Sequence, residues 1–179
     1  MRIYSRLFSA KMRDGVMPAN ECVRIVLLAE VPEAIGVLAP GFVAHWGRDE
    51  PSLHLAKTEQ AFRSCLNRDT LPLALVAING VEVLGTVALL LESVRGRPSL
   101  GPWLGALFVF PAHRRKGIGT ALVEAAEWEA GRLRISSLYA GTESAVSLFT
   151  RRGWNPVDRV AESGEQLTIF RCEPHNSVA

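Results

Sequence analysis

The spacing of apolar residues changes several times along the chain, and each change marks an element. Val23 to Ala29 is a short continuous run rich in β-branched residues, which predicts a strand. From Val31 the spacing becomes helical. Val31, Ala34, Ile35, Leu38, Ala39, Phe42, Val43 and Trp46 fall at i, i+3, i+4 and i+7 intervals on one stripe. Pro32 suits a first helical turn, whereas Pro40 predicts a kink or an end near Ala39. A second short helix is predicted from about Thr58 to Asn67.

The period then shortens to two. Leu71 to Ile78 and Val81 to Glu92 read as strands joined by the hairpin signal Asn79-Gly80. Val81, Val83, Val87, Leu89 and Leu91 are predicted to share one face. A loop follows, Ser93 to Gly101, and then a strand, Pro102 to Val109. Gly105 inside that strand predicts a bulge or a close backbone approach. Gly117 to Leu133 reads as a helix with Ile118, Ala121, Leu122 and Ala125 on its buried stripe. Ser136 to Ala140 is a short strand. Thr142 to Arg152 is a helix capped by Thr142, with Gly153 just beyond its end. Two final strands are predicted near Trp154 to Val160 and Leu167 to Arg171. The order β-α-α-β-β-β-α-β-α-β-β implies an α/β fold, a mixed sheet flanked by helices.

Length and composition narrow the function classes. The chain has 179 residues, enough for one full hydrophobic core, and 48% of them are hydrophobic, against widespread disorder. The expected organisation is a basic N-terminal extension over 1–20, a single domain over 21–173 and a tail over 174–179. A net charge of +2 argues against a protein that coats nucleic acid. The three cysteines, Cys22, Cys65 and Cys172, are odd in number and form no CxxC, so free thiols in a reducing cytoplasm are expected. No apolar run reaches the roughly 18 residues of a membrane span. Arg2, Arg6, Lys11 and Arg13 against the single Asp14 give the first 20 residues a weak likeness to a transit peptide; a start at Met17 is the competing reading.

The stretch Val109 to Leu122, VFPAHRRKGIGTAL, carries the chemistry. A strand ends, a basic loop with two glycines follows, and a helix begins. The first N–H groups of a helix lack intrahelical partners, and the helix dipole adds partial positive charge there. Glycine allows close backbone approach. No acid occurs between Glu92 and Glu124, whereas Arg95, Arg97, Arg114, Arg115 and Lys116 do. Together these predict a pyrophosphate-sized anion site. The third glycine of a dinucleotide fingerprint is missing, and no GxxxxGK[ST] occurs.

Arg114-x-x-Gly117-x-Gly119, preceded by a strand ending Leu107-Phe108-Val109 and by Pro111, resembles the acyl-CoA signature of the GNAT N-acetyltransferase superfamily. Ala145-x-x-Leu148-Phe149-x-x-x-Gly153-Trp154 resembles that family's second motif, N-x-x-A-x-x-L-Y-x-x-x-G-F. The resemblance implies a mostly antiparallel mixed sheet of six to seven strands with about four helices. It implies acetyl-CoA as acyl donor, with no metal. The backbone of Leu107, Phe108 and Val109 would pair with the pantetheine amides. Arg114 and the amides of Arg115, Lys116, Gly117, Ile118, Gly119 and Thr120 would hold the pyrophosphate. An N–H at Leu107 or Phe108 would bind the thioester oxygen. Gly105 falls where the family has a bulge that splays two strands.

Two positions depart from the family pattern. Thr142 stands where Asn is frequent, and Phe149 stands where a tyrosine often protonates the leaving thiolate. Tyr139, Thr142 and Ser147 are candidate substitutes. The acceptor amine must also lose a proton before it attacks. Candidate residues on the acceptor side are His45, Trp46, Asp49, Glu50 and Trp103, with His54 and Glu92 as further candidate bases. Glu30 to Gln60 holds five acids against Arg48 and Lys57, which favours a cationic amine. The histidines lack metal-ligand spacing, and Ser144 and Ser147 lack a nucleophile's context. The expected activity is therefore transfer of an acetyl group to a primary amine by direct attack in a ternary complex. The alternative is an acyl-CoA-binding or sensor module without turnover. The expected partner is a small-molecule or peptide amine, with no nucleic acid and no membrane; the resemblance allows a homodimer.

Overall fold

The computed structural model describes residues 23–47, 54–94, 97–162 and 165–174. The basic extension 1–20, Cys22, Asp49, Glu50, Arg95 and the tail beyond Pro174 lie outside the described residues. Among the described residues seven strands form one sheet: β1 Val23–Leu27, β2 Leu73–Asn79, β3 Glu82–Leu90, β4 Trp103–Val109, β5 Leu138–Thr142, β6 Asn155–Glu162 and β7 Glu165–Cys172. The helices are α1 Ile35–Trp46, α2 Leu55–Ser64, α3 Ile118–Arg132 and α4 Val146–Arg151. Their order along the chain is the one that the apolar spacing predicts.

The sheet order is β1-β2-β3-β4-β5-β7-β6. Every pairing is antiparallel except that of β4 with β5. Both faces are covered, which is why β2 reads as an unbroken apolar run. On one face Leu73, Leu75, Val87, Leu89, Leu104, Leu138 and Phe170 pack against α3 and Phe149 of α4. On the other, Val26, Ala74, Val76, Ile78 and Ala88 pack under Ile35, Leu38 and Ala39 of α1 and Phe62 of α2. A third cluster, Val94, Trp103 and Ile169, with Tyr139 against it, lies beneath the β3–β4 loop.

Several expectations are corrected. Pro40 does not end α1, which continues to Trp46. Pro40 and Gly36 are both exposed, so the Gly36 carbonyl that loses its helical donor faces the solvent side. Helix α2 lies three residues earlier than predicted, because Asn67 turns the chain by donating from Nδ2 to the carbonyls of Ser64 (2.9 Å) and Pro72 (2.7 Å). The expected common face of β3 is broken. Ile78 pairs with Val83 but Ala77 pairs with Gly85, so Leu84 is an extra residue that reverses the alternation. Leu84, Val87 and Leu89 therefore face α3, while Val83 packs on the α1 side. Val81 and Leu91 are exposed.

A second bulge shapes the middle of the sheet. Ala88 pairs with Gly105 and Thr86 with Phe108, so Val87 stands opposite the two residues Ala106 and Leu107. The bulge falls one residue beyond Gly105. Its strained backbone is carried by Ala106, at φ +50°. Gly85 on the facing strand accommodates the close approach: a β-carbon there would overlap the Phe108 carbonyl oxygen and lie 3.1 Å from Val109 Cα.

Candidate functional site

Strands β4 and β5 run in parallel and part almost at once. Among the described residues their pairing is the single position Trp103↔Tyr139, supported by Tyr139 N–H donating to the Pro102 carbonyl at 3.0 Å. Past that point β4 runs on through Leu107, Phe108 and Val109 with no ladder partner on its β5 side among the described residues. The bulge at Ala106 falls on β4 just past this last paired position. The result is a slot whose wall is an unpaired strand edge, able to take an extended amide-bearing chain as an added strand.

The slot leads to the loop that the sequence singles out. The chain leaves β4 through a tight turn at Pro111–His113, in which His113 N–H donates to Phe110 O (2.8 Å) and Arg114 N–H to Pro111 O (3.3 Å). His113 Nε2 lies 3.2 Å from Glu82 Oε1, fixing this turn against the β2–β3 hairpin. Arg115 (φ +60°) and Gly117 (φ +82°) are both left-handed, and Gly117 is the N-cap of α3. Left-handed residues interleaved in a loop turn N–H groups inward as an anion nest does. The first backbone bond of α3 is Ala121 N–H to Gly117 O, 3.0 Å, so the amides of Ile118, Gly119 and Thr120 precede the helical ladder.

Gly117 and Gly119 are glycines for different reasons. Gly117 answers to its positive φ. A β-carbon on Gly119 would meet only Val109 Cγ2 at 3.9 Å and Leu148 Cδ2 at 4.0 Å, ordinary contacts. The protein's own packing therefore leaves room over Gly119. Arg115 and Lys116 are exposed around the loop. Arg114 is turned back to the protein, its Nε donating to Val109 O at 2.9 Å and its Nη2 lying 3.4 Å from His45 Nε2.

The candidates for proton transfer are dispersed. Phe149 is 2% exposed and packs with Trp154 (ring centroids 4.9 Å) and Phe170 (5.6 Å). Thr142 is the last residue of β5, and its Oγ1 accepts the Ala145 N–H at 2.9 Å. It holds the turn into α4, which starts four residues later than its predicted cap position. Tyr139 packs against the Trp103 cluster, while its neighbours Leu138 and Ala140 face the α3-side core; its ring lies 5.7 Å from that of Trp103. Ser147 is exposed on α4. Burial pushes the Cys172 thiol up to about 12 and raises that of Cys65 as well, so both stay protonated near neutral pH.

On the α1 side the structure brings His45 and Trp46 to the end of β4. His45 lies 5.6 Å, and Trp46 5.5 Å, from the Phe108 ring. Phe42 and Phe110 complete this aromatic group, with Phe42 at 4.2 Å from Trp46 and Phe110 at 4.9 Å from Phe108. The i, i+3, i+4 spacing of Phe42, His45 and Trp46 places them on one side of α1 at the sequence level; that this side meets Phe108 and Phe110 is a tertiary fact. Trp103 does not join them. It is 1% exposed, and its indole N–H donates to Leu100 O at 2.9 Å. His54 stands at the start of α2, where its carbonyl accepts from Thr58 N–H (3.0 Å) and Oγ1 (3.1 Å). Glu92 is exposed beyond β3. Among the described residues no group of three or more His, Cys, Asp or Glu side chains is placed to hold a metal ion.

The comparisons with known proteins agree with this geometry. The model of the acetyltransferase (GNAT) family matches residues 39–154, which include the slot, the loop and α4. No curated protein matches the sequence. Among solved structures, an aminoglycoside 6'-N-acetyltransferase complexed with coenzyme A superimposes with a TM-score of 0.68 at 16% identity, over 84% of this chain and 97% of that one. An N-acetyltransferase from Staphylococcus aureus Mu50 gives 0.69 at 15% identity, over 86% and 99%. The protein yncA from Salmonella typhimurium, solved with its cofactor acetyl-CoA, gives 0.60 at 17% identity, over 89% and 98%. At such identities the structures speak for the fold; the family model, which spans more than half of the chain, speaks for the family. The chain belongs to the GNAT acetyltransferase family.

Proposed function

We propose that the protein is an acetyl-CoA-dependent N-acetyltransferase acting on a primary amine. The carrying observation is the continuity of an unpaired β4 edge with a loop whose amides and room over Gly119 suit a diphosphate. In this reading the pantetheine arm lies along Leu107 to Val109. Its diphosphate sits on the amides of Arg115 to Thr120, with the exposed Arg115 and Lys116 adding charge. The acetyl group lies in the gap between β4 and β5. The amine approaches from the α1 side, past His45 and Trp46, and its nitrogen bonds to the thioester carbon. The oxygen takes up the electron pair and accepts from an N–H at Leu107 or Phe108. On collapse the C–S bond breaks, the CoA thiolate is protonated by water, and the surplus ammonium proton leaves to solvent. The amide is the other product. Holding two substrates in register supplies most of the acceleration.

The donor site has a clean test. Gly119→Glu places a carboxylate in the space described above. A negative side chain in a first helical turn favours the helix, and the β-carbon has room, so the variant should fold. Like-charge juxtaposition costs several kcal/mol, so acetyl-CoA affinity by calorimetry should fall by roughly a hundredfold or more. Unchanged affinity would place the donor elsewhere.

Phe149 favours a second reading. The position at which the family motif has tyrosine carries no hydroxyl and is packed into the core, as in a module that binds acyl-CoA without turning it over. Thiol release from acetyl-CoA over polyamines, aminoglycosides, amino acids and peptides separates the two. Amine-dependent release supports the transferase, and tight binding with no release across the panel supports the sensor.

A further inference from the structure

Arg114 opens the motif at the donor loop, yet its guanidinium joins β4 to α1. Nε donates to Val109 O at 2.9 Å, and Nη2 lies 3.4 Å from Nε2 of His45 in the last turn of α1. A guanidinium only donates, so in this contact Nε2 is the acceptor. The imidazole is oriented by its neighbours, Trp46 at 4.4 Å and the buried Phe108 at 5.6 Å. The preceding turn of α1 packs closely on β4: a β-carbon at Gly41 would overlap the Phe110 ring and lie 3.4 Å from Phe108 Cε1.

We infer that His45 is a positioning residue that links the donor loop to the acceptor-side helix, so that a diphosphate in the loop steadies the last turn of α1. The inference rests on the acetyl-CoA reading for the identity of the diphosphate. Arg114, Arg115 and Lys116 are three consecutive cations, and their mutual repulsion works against a fixed Arg114. A bound diphosphate offsets that repulsion. Arg114, held at Val109, then keeps its contact with His45, and the turn carrying His45 and Trp46 opens less often. Coupling of this kind is reciprocal: an acceptor that steadies the same turn should tighten the donor.

Hydrogen exchange of residues 41–47 in the full chain, with and without CoA, tests this alongside calorimetry of CoA. His45→Leu removes the accepting atom. His45→Gln restores one at similar reach. Loss of one exposed hydrogen bond should raise exchange of 41–47 about threefold in the CoA-free His45→Leu protein and leave His45→Gln near wild type. CoA should slow that exchange in wild type and His45→Gln but not in His45→Leu, although all three bind it. Equal slowing in His45→Leu overturns the link, as does faster exchange of wild type on adding CoA, the result if Arg114 swings to the phosphates. A wild-type protein that gives no heat with CoA overturns the donor reading and the link with it. A failed link alone instead shows normal CoA heat and no difference between His45→Leu and His45→Gln.

Discussion

Gly36 and Gly41 belong to the same helix, but a methyl group added to each meets different surroundings. At Gly36 nothing lies within 4 Å and the backbone is helical and exposed. Gly36→Ala should therefore raise stability by about 0.5 kcal/mol, through the smaller entropy of the unfolded chain. At Gly41 the methyl group overlaps the Phe110 ring. Overpacking typically costs 1–3 kcal/mol, so Gly41→Ala should lose about 1 kcal/mol net of the helix gain and disturb the ring group beside Phe108. Urea midpoints of the two variants should move in opposite directions, and shifts of the same sign would refute the packing argument. Such distinctions are not written in the residue type. Both positions are simply Gly in the sequence, and the turn at Gly80 was legible only because Asn-Gly has a local mechanism. The bulge near Gly105 shows the limit: the sequence pointed to the right neighbourhood, but the positive φ fell on Ala106, because the register of β3 against β4 decides which residue is extra.

Elements were legible where periodicity is local and obscure where another element sets the boundary. Helix α3 matches its apolar stripe within a residue at each end. Strand β5 lies two residues beyond its predicted place, because its partner β7 pairs as far as Thr142↔Thr168, and α4 is shortened by that extension. The glycine-containing loop before α3 was readable as a strand-to-helix turn because strand, glycines and helix are consecutive. The α1 wall was readable only as a helix, since its meeting with Phe108 and Arg114 joins residues far apart in sequence. The β3–β4 loop carries a link of the same distant kind. Arg97 donates from Nε to Asp158 Oδ2 on β6 at 2.7 Å, and Nη2 lies 2.7 Å from the same oxygen. Together with the Arg159 N–H, this holds the Asp158 carboxyl below its ordinary value. A carboxyl lowered on folding contributes stability that is present above its unfolded pKa of about 3.9 and is lost as pH falls through the lower folded value. Asp158→Asn should therefore be less stable than wild type at pH 7, and the gap should close in acid as wild type loses the pair. An undiminished gap at pH 2 would show that Asp158 acts by other means.

At the scale of the whole molecule, one guanidinium ties together segments that the chain order separates. Arg132, in the last turn of α3, donates to Glu129 (2.7 Å), to Asp69 (2.7 Å) and to the Arg68 carbonyl. Arg68 reaches in turn to Glu30 (3.2 Å) and to the Ala29 carbonyl (3.1 Å) just past β1. The α2–β2 connection and the exit of β1 are thus joined to α3 at its end opposite Gly117. Burial alone would push Arg132 down, but the hydrogen bonds and charges of Glu129 and Asp69 outweigh it and raise its pKa. The two carboxylates differ in what they lose without the arginine. The Glu129 side chain is 1% exposed and Asp69 75%. Arg132→Met takes the cation from a carboxylate shielded from water, and breaking a buried pair costs about 3–5 kcal/mol. Asp69→Asn removes an exposed partner, worth below about 1 kcal/mol. Denaturant unfolding should show the first loss as a displaced midpoint with an unchanged slope, because the network spans both faces of one cooperative unit. A small effect of Arg132→Met, comparable with that of Asp69→Asn, would mean that water reaches Glu129 and that α3 is held at this end by its apolar stripe alone.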